Sequence, residues 1–228
     1  MSFIVFEGID GSGKSTQVKK LTTYLESRGQ SVKQLHFPRT ASPYFGELVA
    51  RFLRGELGSI ENVDPYLVAM LYAGDRWDAG NEIRAWLNQG AHVLLDRYYY
   101  SNIAFQCAKT ASRQEADNLS RWIRNLELDY FKIPAPDINL FLDVPQKFTK
   151  EKLLSERAGT DRSYLQGARD IHEESLDFQS RVRQSYIYES QQHNDLIYIN
   201  CSDTEGNILN PDTVFEKIII ILSEKKII

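Results

Sequence analysis

Cysteine is nearly absent from this sequence. Cys107 and Cys201 are its only two, far apart and without metal-ligand spacing. That scarcity excludes a disulfide scaffold and a cysteine-rich zinc site, and it suits two reduced thiols in a cytoplasmic setting. Positive charge is also in short supply. The chain has 27 Lys and Arg against 31 Asp and Glu, a formal net charge of −4. The surface as a whole therefore does not favour nucleic acid, and any polyanion site must be a local basic patch. Long apolar runs are missing as well: no window approaches the roughly 18 apolar residues of a membrane span. The first apolar stretch has no basic flank and is broken early by Glu7, so it reads as a strand and not as a signal peptide. Repeats and low-complexity tracts are lacking. The four histidines, His36, His92, His172 and His193, show no mutual spacing for a metal, and no Ser-His-Asp or Cys-His arrangement stands out.

What remains is an ordinary globular composition. At 228 residues, 42% hydrophobic and 25% charged, the chain fits one domain over 1–228, with room for a mobile insertion. Apolar strands are expected at 3–6, 32–37, 91–98, 137–144 and 195–202. Helices are expected at 14–28, 44–55, 64–89, 101–109, 112–130, 145–156, 171–191 and 211–225. Strands alternating with helices require crossovers and hence parallel pairing. The expected fold class is α/β: a three-layer α/β/α sandwich around a parallel sheet of about five strands, with ligands at the strands' carboxyl ends. The segment 157–170, "RAGTDRSYLQGARD", has poor apolar periodicity. It reads either as a solvated loop or as a lid, spanning about 156–170, that brings arginines to a phosphate.

The most specific signal comes early. "FEGIDGSGKST" contains Gly8-x-x-x-x-Gly13-Lys14-Ser15, the phosphate-binding loop pattern, placed directly after a strand and directly before a helix. Gly8, Gly11 and Gly13 let backbone N–H groups turn inward, and the helix N-terminus adds partial positive charge. The whole run Gly8, Ile9, Asp10, Gly11, Ser12, Gly13, Lys14, Ser15 and Thr16 is the candidate ATP site. Lys14 can reach the β and γ phosphates, and the Ser15 hydroxyl can ligate Mg2+. Such a loop alone says only that a nucleoside triphosphate binds.

Other residues point to a second ligand. Asp96 ends the apolar run "AHVLLD", where an enzyme with this loop places a carboxylate near Mg2+ or its water. Arg97 follows at once; adjacent side chains at a strand end point opposite ways, so Arg97 can face another anion. Arg39, after Pro38, reaches the same sheet edge. Tyr72 and Arg76 are four apart and share a helix face, so a ring and a guanidinium can meet one planar ligand. A triphosphate cradle facing an arginine-lined monophosphate cup is what phosphoryl transfer between two nucleotides needs.

At these residues the chain resembles the thymidylate kinase family of nucleoside monophosphate kinases. The likeness runs through "FEGIDGSGKSTQ", "FPR" at 37–39, "DRW" at 75–77, "DRYYYSNIAFQ" at 96–106 and "DINLFLDV" at 137–144. It implies a P-loop kinase fold with a lid, MgATP as donor, dTMP as acceptor, and ADP and dTDP as products on the way to dTTP. By resemblance, Asp10 contacts the acceptor's sugar and phosphate region, Arg39 and Arg97 its phosphate and sugar side. Tyr72 stacks on thymine, Arg76 meets the base edge, and Ser101, Asn102 and Gln106 line base and sugar. Phe105 stands where the family commonly has a tyrosine that crowds the ribose 2′ position. Gly11 in the loop and Arg157, Arg162 and Arg169 beyond it resemble members whose catalytic arginine sits in the lid, with Arg157 and Arg162 favoured here. The resemblance also implies a homodimer through helices, and no nucleic-acid or membrane partner. Two other readings stay open: a kinase of another nucleotide or of a deoxynucleoside, and a nucleotide-binding switch that transfers nothing.

Overall fold

The computed structural model of the chain describes residues 1–60, 62–145, 148, 165 and 176–228. Five strands form one sheet: β1 (Phe3–Glu7), β2 (Val32–His36), β3 (His92–Asp96), β4 (Ile138–Asp143) and β5 (Leu196–Asn200). Their spatial order is β2-β3-β1-β4-β5, and every neighbouring pair is parallel. The described residues include seven named α-helices: α1 (Lys14–Glu26), α2 (Phe45–Leu53), α3 (Pro65–Asn88), α4 (Tyr99–Cys107), α5 (Arg113–Arg124), α6 (Leu176–Gln192) and α7 (Pro211–Glu224). A π-helical stretch, Asn125–Tyr130, continues from α5. The α/β class, the parallel sheet and the count of five strands are as expected. None of the helices is long and apolar enough to cross a membrane, among the described residues.

The central strands β1, β3 and β4 are buried along their whole length, which is why they read as continuous apolar runs and not as alternating ones. β2 is an edge strand with mixed exposure. Several helix starts are written locally. Asp64 accepts from the N–H groups of Tyr66 and Leu67 ahead of Pro65, and Asn210 does the same for Thr213 ahead of Pro211; these are side-chain caps with proline in the first turn.

The register fixes the site. Phe6 pairs with Asp96, and Asp96 with His36, so β2, β3 and β1 end level with one another. The chain leaves β1 between β3 and β4, where the strand order reverses, which is where an open α/β sheet has its crevice. Two expectations are corrected. β3 stops at Asp96, because Arg97 takes a left-handed backbone with φ 71°. The helix expected at 112–130 ends as an α-helix at Arg124 and widens into the π stretch. The helix expected at 145–156 and the lid with Arg157, Arg162 and Arg169 lie outside the described residues, apart from Pro145, Phe148 and Leu165.

Candidate active site

The loop after β1 is shaped by left-handed and extended glycines. Gly8, Gly11 and Gly13 have φ of 147°, 74° and 84°, values that favour a residue without a Cβ. At Gly8 space is a second constraint, since a Cβ would lie 2.7 Å from Ser12 Oγ and 2.9 Å from the Leu142 carbonyl. Gly13 is the N-cap of α1, with no side-chain cap and no acidic residue in the first turn. The helix therefore keeps its first N–H groups and its positive end for an anion.

Lys14 folds back over this loop. Its ammonium donates to the carbonyls of Ile9 at 2.9 Å and Gly8 at 3.2 Å, and to Ser12 Oγ at 3.4 Å. Burial lowers its pKa to about 8; Arg97 adds to that, and Asp96, Asp10 and Glu7 oppose it. Beside it the Ser15 hydroxyl donates to Asp96 Oδ2 at 2.9 Å. Burial works to raise the Asp96 pKa, but Lys14, His36 and Arg97 overcome it and hold the carboxylate ionised, well below its usual range. Asp96 Oδ1 is buried and has no hydrogen-bond partner among the described residues. A hydroxyl and an ionised carboxylate with a spare buried oxygen fit the hard-oxygen donor set of Mg2+.

Arg97 closes the loop from the β3 side. The left-handed turn, and not strand alternation, is what separates its side chain from that of Asp96. Its Nη1 donates to the Gly8 carbonyl at 2.9 Å and to Ser101 Oγ at 3.2 Å, and its Nη2 to Asp10 Oδ1 at 2.6 Å. The guanidinium also lies 5.1 Å from the centroid of the Phe105 ring. Burial alone would lower its pKa, but Asp10, Tyr186, Asp96 and Glu7 raise it further above the ordinary arginine value. Asp10 takes a second donor, Gln179 Nε2 of α6, at 3.0 Å.

Arg39 stands at the neighbouring strand end, held by α3. Its Nε donates to Asp75 Oδ1 at 2.9 Å, and its Nη2 to the Asp75 carbonyl at 2.8 Å and to Asp78 Oδ2 at 2.6 Å. The sequence did not suggest these carboxylates, although both lie in the "GDRWD" run around Arg76. Arg76 itself is 1% exposed and forms a two-pronged ion pair with Glu127 of the π stretch, at 2.5 and 2.7 Å. Tyr72 is half-buried one turn away, beside the small cluster of Val49, Phe52, Leu53 and Val68. Asn102 donates to the Ala69 carbonyl and to Glu127, which places it against the same stretch of α3. Gln106 is buried, and its oxygen accepts from the Lys109 ammonium at 2.8 Å.

Two residues at the heart of this arrangement carried little or no sequence signal. Glu7 is fully buried. Its Oε1 accepts from the N–H groups of Tyr98 and Ser101, and its Oε2 from the hydroxyls of Ser101 and Tyr186. A charge interrupting an apolar strand was the visible hint. Glu127 gave none, since an acidic residue late in a long helix usually faces water. Phe178, Val182 and Tyr186, four residues apart, form a buried stripe on α6, and the Tyr186 hydroxyl also belongs to the Glu7 network.

The thymidylate kinase family profile matches residues 6–210 of the chain. Curated relatives agree. The thymidylate kinase of Mycobacterium tuberculosis is 32% identical over 183 residues, covering 80% of this chain and 83% of that protein. The probable thymidylate kinase of Thermococcus kodakarensis is 30% identical over 213 residues, covering 91% and 93%. The thymidylate kinase of Plasmodium falciparum is 36% identical over 151 residues, 66% of this chain and 65% of that one. Among solved structures, the thymidylate kinase of Candida albicans superposes with a TM-score of 0.74 over 99% of this chain and 92% of that one, at 23% identity; this is a likeness of fold. The chain belongs to the thymidylate kinase family.

Proposed function

We propose that this chain transfers the γ-phosphoryl group of ATP to dTMP across the crevice between the β1 loop and the ends of β2 and β3, giving dTDP and ADP. The observation that carries the reading is the Arg97 side chain, which spans from the mouth of the triphosphate loop to Asp10. That position suits a cation between donor and acceptor phosphates. Lys14 and the α1 N-terminus bind the donor's phosphates. Arg39, stiffened by Asp75 and Asp78, and Arg97 hold the acceptor's phosphate and sugar side. Tyr72, Arg76 and Asn102 receive the base, while Ser101, Phe105 and Gln106 line the pocket behind it. The acceptor's attacking oxygen is already anionic, so alignment and charge neutralisation are the main demands and no strong base is required. Ser15 and Asp96 would hold Mg2+, which when bound neutralises charge on the donor's phosphate oxygens.

The reading extends to one kinase domain over 1–228, with a lid near 156–170 whose Arg157 and Arg162 complete the charge that Gly11 does not supply. It includes a cytoplasmic location, supported by Cys107 and Cys201, both buried and unpaired. It also includes a homodimer, for which the exposed Leu67, Met70 and Trp77 of α3 offer an apolar face.

An acceptor panel tests the reading. Purified protein with ATP and magnesium is offered dTMP, dUMP, dCMP, CMP, UMP, AMP and thymidine, and ADP release is measured. The expected result is the highest kcat/KM for dTMP. Faster turnover of thymidine would make the chain a nucleoside kinase, and no turnover of any acceptor would favour a binding switch.

A further inference from the structure

Asn102 is held in one of its two possible amide orientations. Its Nδ2 donates to the Ala69 carbonyl at 2.9 Å and to Glu127 Oε1 at 2.9 Å. A primary amide has two N–H donors, and these two acceptors use both. The opposite orientation would set the amide oxygen against a carbonyl oxygen and a carboxylate. The remaining atom, Oδ1, is buried with no hydrogen-bond partner among the described residues. Asn102 as a whole is 2% exposed. An orphaned buried acceptor is costly unless something that binds later supplies a donor.

Glu127 makes this arrangement one-sided. The same Oε1 that takes Asn102 Nδ2 takes Arg76 Nη2 at 2.7 Å, and Oε2 takes Arg76 Nε at 2.5 Å. One carboxylate therefore fixes a group with a spare acceptor beside a group that can only donate. Glu127 is itself fully buried and sits in the π-helical stretch. Such an irregularity displaces a side chain from its α-helical direction and recurs at functional sites.

We propose that Glu127 is a positioning residue that sets the hydrogen-bond polarity of the base pocket, making it accept pyrimidines that carry N3–H beside a 4-keto oxygen and reject 4-amino pyrimidines. The inference deepens the reading above and rests on its placement of Arg76 and Asn102 at the base. A thymine or uracil edge offers a donor at N3 and an acceptor at O4, which match Asn102 Oδ1 and an Arg76 N–H. A cytosine edge offers the reverse at both atoms. Arginine has no acceptor to offer in any orientation, so only Asn102 can invert the pattern, and Glu127, with the Ala69 carbonyl beside it, prevents it. A site built to satisfy specific polar groups discriminates strongly, because the wrong ligand leaves buried groups unpaired.

The test compares kcat/KM for dTMP and dCMP in wild type, Glu127→Gln, Asn102→Ala and the double variant, with circular dichroism confirming the fold. In Glu127→Gln the dTMP-to-dCMP ratio is expected to fall at least about tenfold, with KM for dTMP rising more than kcat falls. In the Asn102→Ala background the same substitution should leave the ratio unchanged. A folded Glu127→Gln protein with wild-type selectivity overturns the proposal. If Asn102→Ala also leaves selectivity untouched, the base-pocket reading itself is at fault. Because Glu127 neutralises buried Arg76, the substitution can unfold the chain. The decision then rests on NMR of the wild-type protein, with the Asn102 side-chain amide identified by its loss in Asn102→Ala. Amide protons protected from exchange before and after dTMP saturation support the proposal; protons that are unprotected, or that contact the base, overturn it.

Discussion

At the scale of single residues, Arg97 and Lys14 have the clearest consequences. Arg97 is a non-glycine residue at φ 71°, a conformation that costs on the order of 1 kcal/mol or more and persists where surrounding contacts enforce it. Here the contacts are Gly8, Asp10 and Ser101. Replacing Arg97 with alanine removes a preorganised cation from the path between phosphates. Steady-state kinetics should show kcat/KM for dTMP lowered by about 2–4 kcal/mol of transition-state stabilisation; an unchanged value would remove Arg97 from the site. Lys14 leads to a pH effect. With its pKa at about 8 against an ordinary 10.5, the free protein loses this proton as pH rises past about 8, while a bound triphosphate favours the charged form. KM for ATP should therefore climb above that pH, approaching roughly tenfold per unit at the limit, and a flat profile to pH 9.5 would contradict the assignment. The sign for folding is the reverse. Between about 8 and 10.5 the folded state holds fewer protons at Lys14 than the unfolded chain does, so this group favours folding more as pH rises.

At the scale of elements, what the sequence revealed was whatever is encoded close by. The β1 loop was legible because glycine, lysine and serine must stand at fixed spacing to turn a backbone around phosphate. Helices α3 and α7 were legible because Asp64-Pro65 and Asn210-Pro211 cap them from adjacent positions. The start of α4 was placed two residues late for a physical reason: its cap is Glu7, distant in sequence and joined to it only once β1 and β3 pair. The π stretch was missed because no local preference marks an added residue in a helix; it is held by the Arg76–Glu127 pair across to α3. Arg39 and Arg76 were picked out as functional cations without their carboxylates, since Asp75 and Glu127 are ordinary helix residues until packing buries them, and Asp78 is an exposed one until Arg39 is brought beside it. Residues 146, 147, 149–164 and 166–175, where the lid arginines fall, lie outside what the fold describes.

At the scale of the whole molecule, Glu7 joins the sheet to two helices, α4 and α6, that pack against each other. It ends β1, caps α4 through Tyr98 and Ser101, and binds α6 through Tyr186. Burial raises its pKa despite donors from Ser101, Tyr186 and the Tyr98 N–H and the nearby charge of Arg97. Removing the side chain would leave two backbone N–H groups and two hydroxyls without their acceptor, at about 1–3 kcal/mol for each group that stays dry. Glu7→Ala should thus lose on the order of 3–5 kcal/mol in urea unfolding. Glu7→Gln keeps one oxygen for the two backbone donors and turns its amide toward hydroxyls that can rotate to accept, so its loss should stay within about 2 kcal/mol. The two variants also separate by pH. A glutamate raised above its ordinary 4.5 keeps its proton in the folded state after the unfolded chain has released it. Its contribution is full below 4.5 and declines as pH rises toward the folded value. Glutamine has nothing to titrate. The stability of wild type relative to Glu7→Gln should therefore shrink as pH rises through that window, and thermal melts at stepped pH would read it directly. A gap that widened instead would mean that the hydrogen bonds and Arg97 outweigh desolvation, leaving Glu7 as an ordinary ionised anchor.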